Sequence, residues 1–151
     1  MTRRILLDLN VLIALLDSSH QNYQKAQDWF ISSGEDYVGL CPLTEMGFLR
    51  VTTSPSYRPA PRTMEQAIAI LQMLKTHPRF AHPLFGYLEM NESWVSLTAP
   101  FARRIRGHQQ VTDAYLLGLA IKNDAVLVTF GKGIGYLADA EFARHVQLLA
   151  A

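Results

Sequence analysis

Apolar residues along this 151-residue chain come in two kinds of run. Short, nearly unbroken ones at about 3–8, 37–41, 125–129 and 145–149 read as strands buried on both faces. Longer ones repeat at three- and four-residue spacing and read as helices, predicted over about 11–17, 20–33, 42–51, 63–76, 93–105 and 112–122. Tyr23, Ala26, Trp29 and Phe30 share a face of the second helix, and Met64, Ala67, Ile68, Leu71 and Leu74 share one of the fourth. Breakers fall between the runs: Asn10 suits an N-cap before the first helix, Gly34 stops the second, and Pro42 opens the third. Pro55, Pro59 and Pro61 make 53–62 a loop, and Pro78 and Pro83 bracket a weakly extended segment at about 80–88. Residues 131–135 are expected to form a loop before the last strand. Strands that alternate with helices in this way predict an α/β fold, a mostly parallel central sheet flanked by helices on both faces with right-handed crossovers. The length fits one domain over 1–151.

Composition narrows the class without naming a ligand. Hydrophobic residues make up 49% and charged residues 18%, which suits a packed domain, while a net charge of +1 leaves any nucleic-acid contact to local clusters. The lone Cys41 excludes an internal disulfide and a thiolate-rich zinc site, and fits a reducing compartment. Two arginines precede the first apolar stretch, but Asp8 and Asn10 interrupt it as a signal peptide, and no other run approaches a membrane span. The expected location is cytoplasmic. His77 and His82 lack partner cysteines for zinc, and the segment from Gly131 to Gly135 lacks the length and terminal Lys-Ser/Thr pair of a phosphate-binding loop.

Candidate chemistry lies in three acids. Asp8 ends the first strand, in an apolar stretch where an ionised carboxylate is costly unless it is paired, hydrogen-bonded or bound to a metal. Asp113 stands in the first turn of the most apolar helix, with Leu116, Leu117 and Ala120 three, four and seven residues on. Glu45 stands likewise above Phe48 and Leu49. Each has a plainer reading, Asp113 and Glu45 as helix-start acids answering the macrodipole and Asn10 as a simple cap. In parallel sheets, however, the ligand crevice lies beyond the carboxyl ends of the strands, where Asp8 and Thr129 would line one crevice if their strands are neighbours. Clustered carboxylates repel unless a cation lies among them, and magnesium or manganese suits an all-oxygen donor set.

Three segments carry a resemblance in chain order: Leu7-Asp8-Leu9-Asn10-Val11-Leu12, Pro42-Leu43-Thr44-Glu45-Met46-Gly47-Phe48-Leu49-Arg50-Val51, and Arg106-Gly107-His108-Gln109-Gln110-Val111-Thr112-Asp113-Ala114-Tyr115-Leu116. Together they resemble the signatures of PIN-domain ribonucleases, and more closely those of the VapC toxins of bacterial type II toxin-antitoxin pairs. The resemblance implies a PIN-like fold and endonucleolytic hydrolysis of RNA with Mg2+ or Mn2+ as cofactor. It implies Asp8, Glu45 and Asp113 as metal ligands, with Asn10 and Thr129 as supporting polar residues of the catalytic set. It also implies a homodimer held in check by a VapB-like antitoxin. One departure is clear: a further aspartate is usual after the late strand, and this chain reads Val128-Thr129-Phe130-Gly131-Lys132. A missing ligand predicts weaker occupancy of a second ion and favours, as the alternative, an impaired protein that binds antitoxin and RNA without efficient cleavage. Asp124 and Asp139 are poor substitutes, one at the opposite end of the strand and the other well beyond the loop.

Arg103, Arg104, Arg106 and His108 form a basic run before Asp113, and Arg50, Arg58 and Arg62 a looser one. Such runs are commonly solvated faces, but beside an acidic site Arg106, His108, Arg103 and Arg50 become candidates for holding the RNA backbone. An aspartate-nucleophile phosphatase is disfavoured because Asn10 stands where its second acid belongs, and a receiver-like domain would need its acceptor aspartate on a central strand.

Overall fold

The computed structural model describes residues 2–57, 60–83 and 85–150. Four strands pair throughout in parallel, in the order β2-β1-β3-β4: β1 (Arg4–Leu7), β2 (Tyr37–Gly39), β3 (Val126–Thr129) and β4 (Val146–Leu148). Seven α-helices accompany them among the described residues: α1 (Leu9–Leu16), α2 (Tyr23–Ser32), α3 (Pro42–Thr52), α4 (Met64–Leu74), α5 (Trp94–Thr98), α6 (Val111–Lys122) and α7 (Lys132–Ala138). The unbroken apolar character of β1 and β3 follows from burial on both sides. Leu6 and Leu127 enter a core with Phe101, Leu116, Leu117, Ala120 and Leu137. Ile5, Leu7 and Val128 enter another with Leu12, Trp29, Phe48 and Leu71. Period-two alternation thus sends neighbours in one strand to opposite cores.

Pairing of Ile5 with Val126 and Leu7 with Val128 makes β1 and β3 adjacent, as the shared crevice requires. The Asp8 amide continues that ladder by donating to the Val128 carbonyl at 3.0 Å. Both strands therefore deliver their carboxyl ends to one place.

The structure corrects several local expectations. The first helix begins at Leu9, so Asn10 lies in its first turn and Asp8 is the N-cap. Asp8 takes that role because its backbone is extended (φ −70°, ψ 154°) and its carbonyl accepts from Val11 and Leu12 at 3.1 Å. The segment expected as a loop at 131–135 lies mostly in α7, whose Ile134, Leu137 and Ala138 are buried. Burial of that face outweighs the poor helix propensity of Gly133 and Gly135. The segment near 80–88 forms no strand among the described residues, only an isolated parallel bridge between Leu40 and Tyr87. The helix expected over 93–105 is α5 followed by a 3₁₀ stretch, Ala99–Arg104, since Pro100 lacks an amide donor and Phe101 leaves helical geometry (φ −131°, ψ 18°). No helix of the described residues is long and apolar enough to cross a membrane.

Candidate metal centre

Asp8 is held where the strand turns into the helix. Its Oδ1 accepts from the Leu9 amide at 2.8 Å, and its Oδ2 accepts from the Thr129 hydroxyl at 2.6 Å. The residue is only 8% exposed. Burial raises its pKa above the usual carboxylate range, against the two hydrogen bonds, which favour the charged form.

Thr129 is fully buried, and its hydroxyl works in both directions. It donates to Asp8 and accepts the Gly131 amide at 2.8 Å, so the end of β3 and the start of α7 lock one carboxylate oxygen. Asn10 adds a contact at the long limit, its Oδ1 accepting the Phe130 amide at 3.5 Å.

Asp113 occupies the first turn of α6 and is half-buried. Its pKa is pushed up to about 6, first by burial and then by the negative charge of Asp8. These two acids therefore face each other electrostatically. Neither has a Lys, Arg or His partner within 4.0 Å among the described residues. A buried and a half-buried carboxylate, both raised by burial and without a cationic partner among the described residues, form a donor set suited to a hard divalent ion.

Glu45 lies differently. It sits in the first turn of α3 as expected, but its Oε2 is ion-paired with Nζ of Lys75, the residue that caps α4. Tyr87 completes this corner: Lys75 Nζ is 5.0 Å from its ring centroid, and burial followed by the Glu45 charge pushes its pKa up to about 12. Among the described residues no group of three His, Cys, Asp or Glu is gathered closely enough to hold a metal ion. The structure joins Asp8, Asp113, Thr129 and, weakly, Asn10, and leaves the Glu45 carboxylate engaged with Lys75. Lys75 and Tyr87 are absent from the sequence reading. Their only sequence signal is a basic residue at the end of an amphipathic helix and an aromatic residue in an irregular segment.

Gly131 stands at the N-cap of α7 with ordinary dihedrals (φ −84°, ψ 120°). A Cβ there would meet only the Thr129 hydroxyl, at 3.4 Å, so the backbone imposes no need for glycine. Asp124 precedes β3, at the far end from the site, and Asp139 lies within 3.9 Å of Arg104.

The basic residues divide by what they already bind. Arg104 donates to the Leu137 and Ala138 carbonyls at 3.0 and 3.2 Å and pairs with Glu141 at 2.6 Å, which makes it a clamp on the end of α7. Arg103 reaches Glu141 at 3.4 Å and the Pro100 carbonyl at 3.2 Å. Arg62 donates to the Leu16 carbonyl at 3.2 Å, and Arg58 lies outside the described residues. Arg106 and His108 are exposed and line a depression just before α6, and Arg50 is exposed at the end of α3. Arg103, Arg104 and Arg106 share a second depression with Gln110, Tyr136 and Asp139, which bridges the approach to α6 and the body of α7.

Ribonuclease VapC44 of Mycobacterium tuberculosis is 36% identical over 135 residues, covering 89% of this chain and 91% of that protein. Ribonuclease VapC38 of the same organism is 35% identical over 144 residues, covering 95% and 96%. Among solved structures, a chain of FitAB bound to an IR36 DNA fragment superposes with a TM-score of 0.63 at 21% identity, covering 95% of this chain and 94% of that one. A chain of VapBC2 from Rickettsia felis, bound to a DNA fragment from its promoter, gives 0.60 at 13% identity, covering 97% and 99%. The structures share the fold. No family model matches the chain.

Proposed function

The chain belongs to the VapC ribonucleases, and from that premise we propose that it is a divalent-metal-dependent endoribonuclease whose centre is built on Asp8 and Asp113, with Glu45 as the third carboxylate. The observation that carries this reading is the Asp8–Asp113 pair: burial raises both acids, the charge of Asp8 raises Asp113 further, and neither has a cationic partner within 4.0 Å among the described residues. Magnesium or manganese fits their oxygen donors, and when bound supplies charge neutralisation at the phosphate and a water of lowered pKa.

The chain's own residues do the positioning. The Thr129 hydroxyl fixes one oxygen of Asp8 and the Leu9 amide the other, so the carboxylate keeps a single orientation. Asn10 ties the first turn of α1 to Phe130. To Arg106, His108, Arg103 and Arg50 we assign the task of holding the RNA backbone by charge and hydrogen bonding, a reading supported by the exposure of Arg106, His108 and Arg50.

We read residues 1–151 as one domain that forms a homodimer and is inhibited by a VapB-like antitoxin. The solved relatives FitAB and VapBC2 support that partnership by their composition. Cleavage of a structured RNA with Mg2+ or Mn2+ is the direct test, with Asp8→Asn as control because it keeps a capping oxygen. Metal-dependent cutting lost in the variant is the expected result, and cutting unchanged by chelator or by the substitution overturns the reading.

Gly131 favours a second reading, in which the protein binds antitoxin and RNA with little cleavage for want of an acid after β3. A wild-type chain that fails to cut while Gly131→Asp cuts identifies this case.

A further inference from the structure

Of the three acids assigned to the centre, Glu45 alone has a cationic partner among the described residues. That partner is not an arbitrary surface lysine. Lys75 leaves the end of α4 with its backbone held by a 3.1 Å bond to the Leu71 carbonyl. Its stem lines an apolar groove between α3 and α4 with Pro42, Leu49, Ile68 and Leu71. Its ammonium meets Glu45 on one side and the face of Tyr87 on the other. The Glu45 side chain is 18% exposed and that of Lys75 44%, so the pair is partly shielded.

We propose that Lys75 is a positioning residue that competes with the divalent ion for the Glu45 carboxylate and so sets the ion affinity of the centre. This rests on the reading of Glu45 as a ligand. Asp8 and Asp113 are left to attract the ion, while Glu45 is already neutralised. An ion that recruits Glu45 displaces the ammonium from its ring or tolerates a like charge beside it, and either lowers affinity. The plainer role, a staple between α3 and α4, predicts an effect on stability and none on ion binding.

Calorimetric titration with Mn2+ separates the two, using the full-length wild type, Lys75→Met, Glu45→Gln and the double variant, with thermal melts to verify folding. Lys75→Met retains the apolar stem, and Lys75→Gln serves if it does not fold. Removal of the ammonium is expected to tighten Mn2+ about two- to fivefold, the range set by a partly exposed ion pair. The gain should vanish in the Glu45→Gln background, and Lys75→Arg should return wild-type affinity. Equal affinity in wild type and Lys75→Met, with Glu45→Gln weakened, overturns the role of Lys75 and leaves Glu45 a ligand. Wild-type affinity in Glu45→Gln overturns Glu45 as ligand and the proposal with it. Tightening of equal size in both backgrounds marks a general field effect and overturns the competition. Absence of Mn2+ binding in every form overturns the metal reading altogether.

Discussion

Asp8 and Asp113 are acids whose protonation is set by burial and, for Asp113, by the neighbouring charge of Asp8. Asp113 has a folded pKa of about 6 against an ordinary 3.8, and Asp8 is shifted in the same direction. A raised carboxyl binds its proton more tightly in the folded state, so without divalent ions stability rises as pH falls from about 7 through 6 towards 4. The gain from Asp113 is on the order of 1–2 kcal/mol once its residual exposure is discounted. Melting temperatures at pH 5 and 7.5 without divalent ions should therefore favour pH 5. The difference should shrink by a few degrees in Asp113→Asn, and an unchanged pH dependence in that variant would contradict the assignment. Mn2+ should reverse the trend in the wild type, because it stabilises the ionised pair.

Gly131 gives a second prediction at this scale. Its dihedrals and surroundings accept a side chain, so Gly131→Asp should fold normally and add a carboxylate at the start of α7 beside Thr129. Tighter Mn2+ binding and faster RNA cleavage than wild type are expected. Equal ion affinity and equal cleavage would show that the missing acid is irrelevant.

Elements are held by close approaches that the hydrophobic pattern does not announce. Gly118 lies inside α6, where alanine would ordinarily gain about 1 kcal/mol in helix propensity. Here a Cβ would stand 2.7 Å from the Leu97 carbonyl oxygen at the end of α5, a backbone atom that cannot rotate away. Overpacking costs typically about 1–3 kcal/mol, so the steric penalty should win, and Gly118→Ala should lower the denaturant midpoint. A raised midpoint would mean that α5 yields easily.

The elements also mark where sequence reading succeeds. Strands β1 and β3 and helices α3, α4 and α6 lie within a residue or two of expectation, because long apolar periodicity reports burial that the fold preserves. α7 is not legible in the sequence, because Gly133 and Gly135 look like loop residues when their neighbours in space are unknown. The pattern points to Asn10 as the cap because Asp8, two residues earlier, reads as the end of a strand and is in fact both.

For the molecule as a whole, a net charge of +1 means that attraction to RNA has to come from a local rim. Arg106 is the strongest candidate, since it is exposed beside the approach to α6 and its guanidinium makes no hydrogen bond or ion pair among the described residues, whereas Arg104 is committed to α7. Arg106→Ala should weaken RNA binding and reduce the slope of log affinity against log salt by about 1. Filter binding at several salt concentrations measures this, and an unchanged slope would remove Arg106 from the interface.

The order of apolar runs by itself determined the parallel α/β class, and acids at the ends of strands and starts of helices determined where chemistry had to be sought. Those properties depend on local periodicity and on the cost of burying charge, both readable from neighbours in the chain. Only the tertiary structure decided that β1 and β3 are adjacent, that Thr129 grips Asp8 across 121 positions of sequence, and that Lys75 holds Glu45 while Asp8 and Asp113 have no cationic partner among the described residues. These depend on which distant side chains arrive within hydrogen-bonding or Coulombic reach, and that is set by packing of the sheet and helices rather than by any spacing along the chain.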